Sequence, residues 1–128
     1  QPPKLVNQGR RAPNNRAVAE AVRLAEAGGV DASKLPAALA GGRADSAALQ
    51  EFGPQMAARQ APPTGAMRNM VKDMEGVQAL AHANRVALPL SSTVADVLRT
   101  FLAAGLGDAQ VAELMLQFDG FQRRLSKE

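Results

Sequence analysis

The sequence predicts an all-α fold of about five to seven helices. Alanine is abundant and aromatic residues make up only 3% of the chain, a composition that favours closely packed helices over strands. Apolar residues recur at spacings of three and four wherever a pattern can be read, and no hairpin or alternating strand of useful length occurs. With 128 residues, the chain is long enough for one domain with a real core, so a single domain over residues 1–128 is expected.

The first predicted helices can be delimited by their caps and breakers. Residues 16–27 carry a periodic apolar stripe, which ends at Gly28–Gly29. Asp31 can cap the next helix, but Pro36 would lie about one turn inside it and would remove a backbone hydrogen bond. A short or kinked second helix is therefore expected.

The middle of the chain predicts one interrupted and one regular helix. Ser46 can cap a third helix, which should break around Gly53–Pro54. Residues 60–66 contain two prolines and a glycine and read as a loop. Beyond this loop, residues 67–81 place apolar side chains on one face of a helix.

Two further helices complete the predicted fold. Pro89 is expected to interrupt the chain, and Ser91 or Ser92 to cap the helix that follows. The Gly105–Gly107 turn should close that helix, and Asp108 should cap the last one.

Residues 9–15 interrupt the helical pattern near the start of the chain. They read Gly-Arg-Arg-Ala-Pro-Asn-Asn and carry no apolar stripe. A proline inside a helix costs about 3 kcal/mol and a glycine roughly 1 kcal/mol more, which applies to Pro13 and Gly9. An irregular, loop-like segment is therefore predicted over residues 9–15.

The charge and the residue usage argue against several classes of partner. The formal net charge of +3 is modest and the two signs are interspersed, so no nucleic-acid partner is expected. The chain has no cysteine and one histidine, His82, which excludes disulfides and argues against a metal site. No apolar run approaches the roughly 20 residues of a membrane span, so no membrane partner is expected. The absence of cysteine fits a cytoplasmic location.

The chemistry-bearing residues nearest the start of the chain are Lys4 and Asn7. A spacing of three puts the ammonium and the amide on one face of a helix, where they could hold and protonate a small oxygenated substrate. Such a pair by itself is most often a solvated helix face.

Six short motifs give the chain a more specific pattern. In this order and spacing they resemble the C-terminal, all-helical domain of the β-hydroxyacid dehydrogenases. That family includes 3-hydroxyisobutyrate, tartronate-semialdehyde and threonate-type dehydrogenases, which are related to 6-phosphogluconate dehydrogenase. The resemblance covers nearly all of the chain. Its components are Lys4-Leu5-Val6-Asn7-Gln8, Ala19-Glu20-Ala21 with Leu24-Ala25, Gly41-Gly42-Arg43-Ala44-Asp45-Ser46, Val71-Lys72-Asp73-Met74, Leu88-Pro89-Leu90 and Gly105-Leu106-Gly107-Asp108.

The resemblance implies a role for four residues. Lys4 matches the catalytic lysine, the general acid that protonates the carbonyl oxygen and the base in the reverse direction. Asn7 matches the asparagine that hydrogen-bonds the substrate. Lys72 matches the lysine that reaches the nicotinamide cofactor, which is NAD or NADP in this family. Asp73 is expected to orient Lys72 or to cap a neighbouring backbone group.

The same resemblance implies the wider setting of the site. The substrate would be a small hydroxyacid, and the domain would form a homodimer or a higher homo-oligomer. No Gly-x-Gly-x-x-Gly follows a strand, so the cofactor would be held mainly by a Rossmann domain that this sequence lacks. The chain is therefore expected to be a fragment that is inactive alone.

The alternative is a non-catalytic helical dimerisation or interaction module. It could be a degenerate relative of the family that only dimerises, or a basic helical protein that contacts nucleic acid through Arg10, Arg11 and Arg16.

Residues 9–17 are the largest departure from the family pattern. Relatives carry an apolar helical run there, and this chain does not. Two compensating changes of reading frame in a GC-rich gene would produce such a composition at constant length. A natural loop that ends the helix early is the other explanation.

Overall fold

A computed structural model describes residues 2–125, and most of these residues are helical. No β-strand occurs among them, which confirms the predicted all-α class. Two short 3-10 helices, Ala32–Lys34 and Val111–Met115, accompany seven α-helices within the described range. The α-helices are α1 Pro2–Ala27, α2 Leu35–Leu39, α3 Ala47–Ala58, α4 Met67–Ala83, α5 Pro89–Ala103, α6 Leu116–Asp119 and α7 Gln122–Leu125.

The helices form two compact units. The first unit contains residues 2–14 and 65–109, and the second contains residues 15–64 and 110–125. Helix α1 therefore supplies its first half to one unit and its second half to the other.

Helix α1 continues without a break through residues 9–15, so the prediction of a loop there was wrong. Pro13 lies inside the helix, where it has no N–H to donate to a carbonyl one turn earlier. Packing explains why the helix persists: Ala12 and Asn15 are 5% and 7% exposed. Gly9 is a contact point, because a Cβ atom there would lie 3.2 Å from Cγ1 of Val77. Burial of α1 outweighs its low local propensity.

The first unit is built on the packing of α4 against α5. The start of α5 differs from the prediction, because Pro89 is its first residue and Leu88 its N-cap. A proline is well tolerated there, since the first N–H of a helix has no intrahelical acceptor. Neither Ser91 nor Ser92 is the cap. The buried residues of the two helices are Met67, Val71, Met74 and Val77 of α4 and Val94, Ala95, Leu98 and Phe101 of α5.

The turn after α5 also fixes the start of α4. Gly105 has a positive φ of 78°, which ends α5 as predicted. The backbone N–H groups of Met67 and Arg68 donate to the carbonyl oxygens of Ala109 and Gly107, at 2.7 and 2.9 Å. These bonds satisfy two of the N–H groups that a helix leaves unpaired at its first turn.

The second unit contains α2 and α3. Asp31 caps the 3-10 helix that leads into α2, which is short, as predicted. Ser46 caps α3, since its Oγ atom accepts a hydrogen bond from the Leu49 N–H at 2.9 Å. The expected break at Gly53–Pro54 is wrong, because α3 runs through both residues. Gly53 lets α2 approach, and a Cβ atom there would lie 3.1 Å from Cγ of Pro36.

The last helices begin at a different cap from the one predicted. Gln110, rather than Asp108, is the N-cap of the second 3-10 helix. The Gln110 N–H donates to Oε1 of Glu113 at 3.0 Å, and the Gln110 side chain accepts a hydrogen bond from the Thr64 N–H at 2.8 Å. Gln110 therefore fixes both its own helix and the end of the loop over residues 60–64.

Candidate functional site

Lys4 and Asn7 lie in the first two turns of α1 and share one face of the helix. Both side chains are exposed. Neither makes a hydrogen bond or an ion pair with any residue in the range 2–125. The ammonium and the amide are therefore available to a ligand.

Lys72 lies on α4, the helix that contacts α1 in the first unit. The contact is close because two glycines meet the opposite helix: a Cβ atom at Gly76 would lie 3.1 Å from Cδ2 of Leu5, and Gly9 faces Val77. Lys72 precedes Gly76 by one helical turn, and Lys4 precedes Leu5 by one residue. Each lysine thus lies within about one helical turn of a residue that makes this contact.

Asp73 follows Lys72 on α4. Its side chain is half-buried, yet within the described residues it makes neither an ion pair with Lys72 nor a hydrogen bond to a backbone group. Lys72 is exposed and likewise has no partner there.

Arg11 joins the face of Lys4 and Asn7 once α1 is continuous. It follows Lys4 by seven residues, or two turns, and it is exposed. Arg11 was not predicted to share this face, because residues 9–15 were expected to form a loop. The spacing of three and seven residues is nevertheless present in the sequence.

Arg16 is engaged in structural contacts, unlike Arg11. Its Nε atom pairs with Glu20 at 2.9 Å, and its guanidinium lies 4.7 Å from the centre of the Phe118 ring. A further hydrogen bond joins it to Gln117. This arrangement weakens the alternative in which Arg10, Arg11 and Arg16 form one surface for nucleic acid.

A cavity of about 460 Å³ lies in the second unit, and none of the predicted site residues lines it. Arg59, at the left-handed C-cap of α3, donates to Glu26 and Asp119 through paired hydrogen bonds of 2.7–3.1 Å. The bonds to Glu26, followed by those to Asp119, raise the pKa of the Arg59 guanidinium above its usual range. All five guanidinium N–H groups are used, the last by the Met56 carbonyl. Arg59 is therefore a structural clamp.

Glu113 and Arg124 form a further ion pair in the wall of this cavity, at 2.7 Å. No sequence signal pointed to the ion pairs of Arg59, because Glu26 and Asp119 are far from it along the chain.

No helix among residues 2–125 is long and apolar enough to span a membrane. Within the same range, no group of three or more histidine or acidic side chains could hold a metal ion.

Comparison with known families gives a match over most of the chain. The model of the family described as NAD-binding of NADP-dependent 3-hydroxyisobutyrate dehydrogenase matches residues 1–117. The matched range contains Lys4, Asn7 and Lys72.

Solved structures resemble the fold of the chain closely. A 3-hydroxyisobutyrate dehydrogenase from Salmonella typhimurium is 24% identical, with a TM-score of 0.81; the match covers 88% of this chain and 39% of that one. The 3-hydroxyisobutyrate dehydrogenase of Mycobacterium tuberculosis, solved with L-serine, is 25% identical with a TM-score of 0.82; the match covers 92% of this chain and 43% of that one. The chain thus spans about two fifths of the length of these dehydrogenases.

Proposed function

Because the chain belongs to the NAD-binding family of NADP-dependent 3-hydroxyisobutyrate dehydrogenase, we propose that it is the helical substrate domain of an NAD(P)-dependent hydroxyacid dehydrogenase. The reaction would transfer a hydride between the nicotinamide cofactor and a small hydroxyacid or its semialdehyde or keto form. In this proposal the domain lacks a Rossmann domain, is inactive alone and assembles as a homodimer or a higher homo-oligomer.

The observation that carries the proposal is that two lysines without a partner among residues 2–125 lie on two helices that contact each other. Lys4 and Lys72 belong to the helices that meet at Leu5 and Gly76, and both are exposed. Exposed cations without acidic partners on contacting helices are suited to an anionic or oxygen-rich ligand.

Lys4 has the role of proton donor and acceptor in this proposal. In the reducing direction its ammonium gives a proton to the carbonyl oxygen while the carbonyl carbon receives a hydride, so that a hydroxyl group forms. In the oxidising direction the amine takes the hydroxyl proton. Asn7, on the same face, donates a hydrogen bond from its amide to the substrate and fixes it beside Lys4.

Lys72 fits a contact with the cofactor. NAD(P) supplies or accepts the hydride when bound, and its carboxamide, hydroxyl and phosphate oxygens all accept hydrogen bonds from an ammonium group. Residues 2–125 contain no strand followed by a glycine-rich turn and a helix, the arrangement that holds a dinucleotide pyrophosphate. Lys72 would therefore contact the cofactor without being its main anchor.

Three measurements test the proposed function. The protein encoded by the complete reading frame that contains this sequence should oxidise 3-hydroxyisobutyrate or threonate, or reduce tartronate semialdehyde, with NAD(H) or NADP(H). The 128-residue chain by itself should show no turnover. Calorimetry of this chain with NADH and NADPH should give no micromolar binding.

Two results would count against the proposal. The first is a full-length protein that binds no nicotinamide cofactor and turns over none of these substrates. The second is turnover by the isolated chain. A full-length protein that self-associates without any activity would support the non-catalytic module instead.

A further inference from the structure

We propose that Arg11 binds an oxyanion of the ligand, on the face of α1 that carries Lys4 and Asn7. The oxyanion is either the carboxylate of the hydroxyacid or a phosphate group of the cofactor. The proposal rests on the function proposed above, because it assigns a ligand to the same site. Residues predicted from the family pattern do not include Arg11, since relatives carry an apolar run in this part of the helix.

The helix geometry places Arg11 where such a contact is possible. Lys4, Asn7 and Arg11 lie within about 60° of one another around α1, and Arg11 is about 10 Å further along the axis than Lys4. Asn7 lies between Lys4 and Arg11 along the axis, and the lysine and arginine side chains are both long. A ligand seated over Asn7 can therefore contact Lys4 with its reacting oxygen and Arg11 with an anionic group.

The charges of this segment favour an anion. Residues 1–14 contain Lys4, Arg10 and Arg11 and no acidic residue, and the remaining twelve basic residues equal the twelve acidic ones in number. The formal net charge of +3 therefore equals the charge of these three residues. A bound anion would offset this local positive charge.

Arg11 has no structural partner that would account for it. It makes no ion pair, hydrogen bond or ring contact with the described residues. Arg16, five residues later, contacts Glu20 and Phe118. A guanidinium presents a planar pair of N–H donors that matches a carboxylate or a phosphate, and Arg11 has its donors available.

Within the first unit, this face comprises the two turns from Lys4 to Arg11. Arg11 thus lies in the same two turns as Lys4, the proposed proton donor, and Asn7, whose amide would bind the substrate.

Arg10 provides a matched control. It is exposed, has no partner among the described residues and carries the same charge, but it lies about 100° around the helix from Arg11. Replacing Arg10 removes the same net charge from the same helix without touching the proposed face. Long-range electrostatic effects would appear equally in both variants.

The experiment compares the full-length wild-type protein with Arg11→Gln, Arg11→Lys and Arg10→Gln. Ligand-detected NMR measures the dissociation constants of isobutyrate and its neutral analogue isobutyramide, and fluorescence titration measures those of NADPH and NADH. Loss of one charge-assisted contact should weaken binding roughly 10- to 100-fold. Arg11→Gln should show that loss, Arg11→Lys should regain part of it, and Arg10→Gln should stay within about threefold of wild type.

The probes whose affinity falls in Arg11→Gln identify which oxyanion Arg11 binds. Weaker isobutyrate binding with isobutyramide unchanged assigns Arg11 to the substrate carboxylate. Weaker NADPH binding with NADH unchanged assigns it to the additional phosphate of NADP, and equal weakening of both assigns it to the pyrophosphate.

Three results would overturn the proposal. The first is unchanged affinity for all four probes in Arg11→Gln, and the second is an equal loss in Arg10→Gln. The third is a gene sequence in which another reading frame of the codons for residues 9–17 encodes an apolar run. A full-length protein without dehydrogenase activity would instead contradict the proposed function, because the NMR titration with isobutyrate reports on Arg11 without turnover.

Discussion

Leu5 of α1 packs on Gly76 of α4, and its Cδ2 atom lies 3.1 Å from the place where a Cβ atom on residue 76 would be. A real Cβ atom would force the Leu5 side chain to move. The same crossing includes Gly9, whose missing side chain would meet two methyl groups of Val77 at 3.2 and 3.3 Å. Two glycines therefore let the helix of Lys4 approach the helix of Lys72. The proposed site depends on this approach.

Gly9→Val should destabilise the protein by about 1–3 kcal/mol, because the added methyl groups overpack the contact with Val77. Val77→Ala makes room, so the double variant should lose less stability than the sum of the two single variants. Urea denaturation measures these free energies of unfolding. Ala17→Val, at an exposed position of the same helix, controls for the effect of a β-branched residue on helix propensity. Strict additivity at positions 9 and 77 would show that the close crossing does not exist in solution.

Arg59→Ala should lower the free energy of unfolding by about 2–3 kcal/mol, since it leaves Glu26 and Asp119 without their partly buried partner. Arg59→Lys should recover only part of this loss, because an ammonium cannot donate in pairs to both carboxylates. The control is Arg43→Ala, which removes an exposed arginine without a partner among the described residues and should cost less than about 0.5 kcal/mol. Equal effects at positions 59 and 43 would contradict the clamp.

Asp45→Asn should destabilise the protein near pH 7, with a difference that disappears in acid. Hydrogen bonds from the Gln50 side chain and from the Gly41 and Ser46 N–H groups lower the pKa of Asp45 below 3.8. A lowered pKa gives stability that is present above pH 3.8 and is lost as the pH falls through the folded-state value. Chemical denaturation from pH 7 to pH 2.5 should therefore show the wild type and the variant converging below about pH 4. A difference in the free energy of unfolding that grows as the pH falls would contradict this prediction.

The fold class could be predicted from composition and spacing, and the cap at Ser46 from its residue type. The errors at residues 9–15 and 53–54 have a common cause. Helix propensity is local and is worth about 1–3 kcal/mol per residue at most, whereas burial of a helix face in the folded protein outweighs it. Gly9 and Gly53 lie at close helix contacts, but their sequence neighbours alone predict that they end a helix.

The candidate site was predictable only in part. Lys4, Asn7 and Lys72 were identified through their resemblance to a family, and their roles stay predictions. Arg11 could not join them while residues 9–15 were assigned to a loop, because a shared face exists only on a continuous helix. The Arg59 clamp was not predictable at all, since it joins positions 26, 59 and 119 through the tertiary fold.

The central claim is that Lys4 transfers the proton. Its most direct test is kcat for hydroxyacid oxidation by the full-length protein with Lys4→Met, compared with Lys34→Met, which replaces an exposed lysine of the 3-10 helix. We predict that Lys4→Met lowers kcat by roughly 10²- to 10⁴-fold, the usual contribution of general acid–base catalysis, while cofactor affinity and stability stay close to wild type. Lys34→Met should leave kcat unchanged. A Lys4→Met protein whose kcat stays within about threefold of wild type would contradict the claim, because that loss is far below the contribution of a general acid.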